Sequence, residues 1–390
     1  MKIVFSDMMK AFPTLVFNEL AQYKKEKLRD GKEIIDLSIG SPDLPPPDFV
    51  RKELSTHVQK ESNYGYTLTG TEELHEAIQQ YYDRKYNVSV HKNKEITVTM
   101  GSQDGLVHLP FVLANPNDYV LIPDPGYTAY DAGIALAGAT PYTMPLLEEN
   151  NFLPDLDAIP EEVCINAKLM ILNFPGNPVP AIATREFFER VVHFAKKYEI
   201  VVIHDFAYSE LYYEEKPISF LSVKGAKEIG VEFNSLSKSF NMAGSRIGYV
   251  VGNEQVITGL AQLKSNLDYG VFLPVQKAAV KALMDGDKFS ETLRNIYKER
   301  RNLFLFGLKK IGWELGYPKA SMFIWAKVPD GLDSKTFTYQ LIDQCGIVVT
   351  PGIAFGKRGE GYVRISLTKD KEVLSRGLEK LSQSNFFSKK

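Results

Sequence analysis

Four short runs are apolar or β-branched at nearly every position rather than at alternate ones: Ile96-Thr97-Val98-Thr99-Met100, Tyr119-Val120-Leu121-Ile122, Lys168-Leu169-Met170-Ile171-Leu172 and Ile200-Val201-Val202-Ile203. A strand of that kind has no face to give to water, so it belongs in a mostly parallel sheet covered on both sides. The stretches between the runs have helical spacing. From Thr184 to Tyr198, for example, Phe187, Phe188, Val191, Val192 and Ala195 recur on one face. Strand and helix alternating in this way predict an α/β layered domain.

The C-terminal part reads differently. Phe323 to Val328 and Gly361 to Leu367 alternate apolar with polar residues, as strands of a one-sided sheet do, and helical patterns run from Phe289 to Leu308 and from Lys371 to Leu381. A second, smaller α+β domain is expected there. A chain of 390 residues has room for both. The division expected is an N-terminal arm and part of the small domain over 1–45, a large domain over 46–285 and a small C-terminal domain over 286–390.

Charge and composition narrow the partners. The formal net charge is −2 and no long block of like charge occurs, which disfavours nucleic acid and anionic membranes. The two cysteines, Cys164 and Cys345, lie far apart, and the six histidines show no HxxxH or HExxH spacing, so neither a disulfide framework nor a metal centre is expected. Asp7 and Lys10 interrupt the N-terminus before any long apolar stretch, and no run approaches the roughly 20 apolar residues of a membrane span. The expectation is a cytoplasmic protein.

In an open parallel sheet, ligands sit beyond the carboxyl ends of the strands. After the run at 96–100 come Gly101, Ser102 and Gln103, small or polar residues opening a helix whose N–H groups can approach a phosphate. Pro123-Asp124-Pro125-Gly126 then sets Tyr127 on a turn, and Asn173-Phe174-Pro175-Gly176-Asn177-Pro178 follows the third run. Asp205 ends a fully apolar strand, where an unpaired carboxylate is costly, and His204 is the basic residue beside it in the sequence. After a strand over 231–234 comes Ser235-Leu236-Ser237-Lys238-Ser239, with Arg246 eight positions beyond the lysine. By itself a lysine between serines is an ordinary loop residue. Here it suits an amine that forms an imine beside a bound phosphate. A heteroaromatic ring bearing an aldehyde and a phosphate would use the whole set. Asp205 would keep its nitrogen protonated, Tyr208 and Asn177 would face its oxygen, and Tyr127 would stack on it. Ser102, Ser235, Ser237 and Arg246 would hold the phosphate, while Lys238 forms the Schiff base and later shuttles the proton. That description is pyridoxal 5′-phosphate.

The chain resembles the class I/II aminotransferases of fold type I, and most closely the group related to LL-diaminopimelate aminotransferase. The resemblance rests on Ile39-Gly40-Ser41-Pro42-Asp43-Leu44-Pro45, the Gly101-Ser102 turn, the segments ending in Tyr127 and Pro178, His204 to Glu210, Ser235 to Gly248, and Gly361 to Ile365. It implies a large domain with a mostly parallel sheet of about seven strands between helices, ping-pong transfer of an amino group from an amino acid to a 2-oxo acid, and a homodimer with sites at the interface. It also implies that Arg364 takes the substrate α-carboxylate with a bidentate fork, aided by the backbone at Gly40 and by Asn177. Tyr66, in competition with Tyr64, would reach the neighbouring subunit's cofactor phosphate.

The chain departs from the family pattern in three places. Val179-Pro180 follows Asn177-Pro178 where Thr-Gly is usual, and Ser245 stands where tryptophan is common. Leu15 replaces a tyrosine that helps recognise diaminopimelate, which weakens the case for that donor. Diaminopimelate-, aspartate- and alanine-type donors are all compatible with the pattern. A pyridoxal-phosphate C–S lyase is the alternative enzyme. A non-catalytic cofactor-binding regulator is disfavoured, because such proteins carry an N-terminal helix-turn-helix segment and this chain opens almost at the enzyme arm.

Overall fold

The structure is a computed structural model that describes residues 1, 3–12, 16–384 and 386–387. Leu15, one of the three departures, lies outside the described residues. A short strand, β1 (Ile35–Asp36), precedes seven that form one sheet: β2 (Ile96–Thr99), β3 (Tyr119–Asp124), β4 (Thr140–Pro145), β5 (Ala167–Leu172), β6 (Val201–Asp205), β7 (Gly230–Ser235) and β8 (Gly248–Gly252). Their order is β2-β8-β7-β6-β5-β3-β4. Neighbours from β7 to β4 are parallel, while β8 runs antiparallel between β7 and β2. The carboxyl ends of β2, β3, β5, β6 and β7 therefore share one edge.

The sheet is buried on both faces, as its unbroken apolar runs require. Helices Asp48–Val58, Glu72–Tyr86, Arg185–Tyr198 and Leu273–Asp285 cover one side. Helices Ser102–Leu113, Ala129–Ala137 and Glu254–Leu267 cover the other. The expected helix from Thr184 forms because the Thr184 hydroxyl accepts from the Phe187 N–H at 3.2 Å, and it ends where Glu199 turns left-handed.

One buried cluster inside this layer is structural. The Glu232 carboxylate accepts from the Tyr82 and Ser219 hydroxyls (2.9 and 2.8 Å) and from the Phe220 N–H (2.8 Å), and lies 2.8 Å from His204 Nδ1. Glu232→Leu strips the partner from several buried donors at once, so urea denaturation should show a loss of about 3–5 kcal/mol. A loss below about 1 kcal/mol would contradict this reading.

The remaining strands are β9 (Phe323–Lys327), β10 (Ile347–Val348), β11 (Thr350–Pro351) and β12 (Tyr362–Ser366). β12 pairs antiparallel with β9 and β11, and helices Asp287–Lys310 and Lys371–Ser382 pack on one another beside them. The N-terminal segment joins this part of the chain. β1 pairs parallel with β10, and helix Val16–Arg29 buries Leu20 against Ile342 and Val348. The loop leading to the large sheet is anchored by Arg300, whose guanidinium donates to both carboxylate oxygens of Asp43 at 2.8 and 2.7 Å. No helix among the described residues is long and apolar enough to cross a membrane.

Candidate active site

Residues from separate elements converge at the carboxyl edge of the sheet around a cavity of about 350 Å³. Gly40, Ser102, Gln103, Tyr127, Asn177, Asp205, Tyr208, Ser235, Ser237, Lys238, Arg246 and Arg364 all line it. In the large sheet the contributing side chains sit at the last residue of a strand, as Asp205 and Ser235 do, or in the segment just after it, as expected for an open sheet.

Lys238 sits on the single turn Leu236–Ser239, and its Nζ donates to the Gly40 carbonyl at 2.6 Å. Burial, together with the Arg364 and Arg246 charges, pulls its pKa down to about 8. An amine held there is partly neutral near physiological pH and can act as a nucleophile. Asp205 is buried at the end of β6, accepting from the Tyr130 hydroxyl at 2.8 Å and the Ala207 N–H at 3.3 Å. Burial raises its pKa. No lysine or arginine pairs with it among the described residues, so it is an acid placed for a cationic partner.

His204 is not that partner. Successive strand residues face opposite sides of a sheet, and the His204 ring lies beneath the sheet between Glu232 and the Phe174 carbonyl (3.0 Å). The side chain that meets Asp205 is instead Tyr130, in the first turn of helix Ala129–Ala137.

At the other end, Gly101 takes a positive φ of 77° and leaves helix Ser102–Leu113 without a side-chain cap. A Cβ at Gly101 would stand 2.6 Å from Arg246 Nη2, so only glycine lets the guanidinium close over this helix start. Arg246 donates to the Ala243 carbonyl at 3.0 Å and has no carboxylate partner among the described residues. Uncapped N–H groups, Ser235, Ser237 and this guanidinium are the donors an anion requires.

Arg364, on β12, is the second unpaired cation. It is only 5% exposed, and burial pulls its pKa down to about 10. Its Nη1 donates to Asn177 Oδ1 and its Nη2 to the Ser38 carbonyl, both at 2.6 Å, and its Nε is buried without a partner. No carboxylate pairs with it among the described residues. A guanidinium this deep with an orphaned N–H is completed by a ligand anion.

Tyr208 packs edge-on against Phe323, and burial pushes its hydroxyl pKa up. Tyr127 donates to Gln103 Oε1 at 3.2 Å and meets Tyr130 edge-on. Tyr66 does not line the cavity within one chain; it is 83% exposed against Tyr269. The Tyr64 hydroxyl donates to the chain's own Val58 carbonyl.

Reading along the sequence missed other participants. Asn173 Nδ2 donates to the Asp205 carbonyl at 2.7 Å and its Oδ1 accepts the Asn177 N–H at 2.9 Å, joining the two strand ends. Its position directly after β5 was an available signal. Phe17 and Phe355 also line the cavity, and they arrive from opposite ends of the chain with no local pattern to mark them.

The residues thus fit a flat phosphorylated cofactor. There is an anion cup at one end, a buried acid without a cation, an aromatic beside it, and a lysine of lowered pKa. A second guanidinium is left over for a carboxylate. These features and the mixed seven-stranded sheet define an enzyme of amino-group chemistry. Residues 32–381 match the aminotransferase class I and II family, and the chain belongs to it; the protein is a transaminase. The family is in general dependent on pyridoxal phosphate. Among relatives, the LL-diaminopimelate aminotransferase of Aquifex aeolicus is 43% identical over 97% of this chain and 98% of its own. That of Syntrophobacter fumaroxidans is 40% identical over 99% and 100%. Among solved structures, substrate-bound BacF from Bacillus subtilis superposes with a TM-score of 0.95 at 38% identity over 100% of both chains. An aminotransferase from Staphylococcus aureus gives 0.91 at 33% identity over 99% and 100%.

Proposed function

We propose that this transaminase binds pyridoxal phosphate covalently through Lys238 and moves an amino group from an amino acid to a 2-oxo acid by a ping-pong mechanism. The observation that carries the reading is a half-buried lysine, its amine hydrogen-bonded to the Gly40 carbonyl and its pKa lowered to about 8, sharing a cavity with a buried acid that no lysine or arginine pairs with among the described residues. When bound, the cofactor supplies an electron sink for the charge released at the substrate α-carbon. The chain's own groups do the rest. Ser102, Gln103, Ser235, Ser237 and Arg246 hold the phosphate. Asp205, oriented by Tyr130, keeps a proton on the ring nitrogen. Tyr127 covers the ring, while Tyr208 and Asn177 face its oxygen. Arg364 and the Gly40 backbone fix the α-carboxylate, so that the neutral Lys238 amine can take the α-proton and return it elsewhere.

The same reading takes the active unit as a cytoplasmic homodimer. Tyr66 is the better candidate to reach the partner's phosphate, since the Tyr64 hydroxyl is already engaged in its own chain. The boundaries at 45 and 285 are proposed as the domain limits; helix Leu273–Asp285 packs on the large sheet's helices, and the next helix, Asp287–Lys310, packs on the C-terminal one. LL-diaminopimelate, named for the relatives, is the first donor to compare with others.

The test is spectroscopic. Protein loaded with pyridoxal phosphate should lose its long-wavelength absorbance on adding an amino donor and regain it with a 2-oxo acid. Persistence of the band with every common amino acid refutes the proposal. Release of pyruvate and ammonia without an acceptor would favour the lyase instead. Capture of the cofactor has a defined pH dependence. The attacking amine must be neutral, and its pKa is lowered to about 8 from 10.5. The stopped-flow capture rate should therefore climb as pH rises through about 8 and level off above it. A rate still climbing at the ordinary lysine value would contradict the assignment.

A further inference from the structure

The cofactor contacts leave one buried lysine without a role. Lys264, in the last turn of helix Glu254–Leu267, has a side chain only 3% exposed. Its Nζ donates to Asp268 Oδ2 at 2.7 Å and to Asp104 Oδ2. A lysine is almost never buried this far unless it is paired, and here the pairing ties two elements together. Asp268 follows the lysine's own helix and accepts the Gly270 N–H at 2.9 Å, which fixes the ammonium from one side. Asp104 belongs to the first turn of helix Ser102–Leu113, whose uncapped N–H groups form part of the anion cup.

Asp104 has a geometric task in that cup. Its Oδ2 accepts the Met100 N–H at 2.9 Å, and the Met100 carbonyl accepts from Arg246 Nη2 at 3.5 Å. Met100 is thus held by the acid on its amide side and by the guanidinium on its carbonyl side, and Gly101 and Ser102 follow directly. The same carboxylate is an electrostatic cost. Burial opposes its charge, but His108, whose Nδ1 lies 2.8 Å away, and Lys264 hold its pKa down to about 2, so it stays ionised. A fixed negative charge in the first turn repels an anion bound at the same helix start. Lys264 supplies the opposite charge from inside the fold, where salt screens it little.

Resting on the pyridoxal-phosphate reading above, we infer that Lys264 is a positioning residue for the cofactor's phosphate. It holds Asp104 in the turn that shapes the anion cup, and it offsets the charge that this acid brings there.

The test titrates cofactor-free full-length protein with pyridoxal phosphate and with pyridoxal, which lacks the phosphate. Imine formation with Lys238 is open to both ligands, so the ratio of their dissociation constants isolates the phosphate end. Lys264→Met should raise the dissociation constant of pyridoxal phosphate by about tenfold or more, while that of pyridoxal stays within about threefold. Adding Asp104→Asn removes the uncompensated charge and keeps an oxygen for the Met100 N–H. The double variant should therefore bind pyridoxal phosphate to within about threefold of the parent. Should the methionine variant not fold, Lys264→Gln, which keeps an N–H donor without the charge, carries the same expectations. Equal weakening of both ligands would make Lys264 a general structural residue and overturn the inference. Unchanged affinity for pyridoxal phosphate, or no recovery in the double variant, overturns it as well. A parent protein that binds the two ligands equally would instead overturn the pyridoxal-phosphate reading, and this inference with it.

Discussion

Lys238→Ala is expected to lower transamination by at least about 10,000-fold, because a single amine both holds the cofactor and carries the α-proton. Removing one group that serves two steps is not partly compensated by its neighbours. Two guanidiniums lie close enough to depress the lysine pKa, and arginine stays protonated at the pH where the reaction runs. Tyr208 cannot stand in either, since burial pushes its hydroxyl pKa up and leaves it protonated. The phosphate donors survive the substitution, so the variant should still bind pyridoxal phosphate non-covalently by equilibrium dialysis. Steady-state turnover within about 100-fold of the parent would remove Lys238 from the chemistry.

Arg364→Lys has the second largest expected effect. The guanidinium is anchored through Asn177 and the Ser38 carbonyl, with its faces against Phe323 and Phe355 and no acid beside it. A lysine keeps the charge but cannot donate to the Asn177 amide oxygen, the Ser38 carbonyl and a carboxylate in one plane. Loss of such a buried ionic hydrogen bond is worth about 2–4 kcal/mol, so kcat/KM for the donor should fall roughly 30- to 700-fold. The dissociation constant for pyridoxal phosphate should change little, because Arg364 lies at the substrate end. If kcat/KM stays within about threefold, the carboxylate is held elsewhere.

How far the sequence reveals this arrangement depends on whether each feature is local. β2, β3, β5 and β6 are legible because they are apolar or β-branched at nearly every position, and the groups following them are legible because a parallel sheet presents its ligands at that edge. β4 is an edge strand with alternating half-exposed residues and a proline at each end of its core, and β8 contains two glycines among its five residues, so neither advertises itself. Lys238, Asp205 and Arg246 could be read together because their roles demand particular chemistry in a fixed order. The Asp205 partner could not, because neighbouring strand residues point to opposite faces and the real donor, Tyr130, arrives from the helix across the sheet edge. The aromatic lining of the cavity is the least legible part. Phe17 and Phe355 stand 338 positions apart, and the chain ends meet only in the folded protein, through the pairing of β1 with β10 and the packing of Leu20 on Ile342 and Val348.

The most direct test of the whole account is reduction of the loaded protein with borohydride, followed by proteolysis and mass measurement of the peptides. The account predicts a single pyridoxyl-phosphate adduct, located on Lys238, and its absence from the Lys238→Ala variant. An adduct on another lysine, or no adduct on protein that has been incubated with the cofactor, would contradict it.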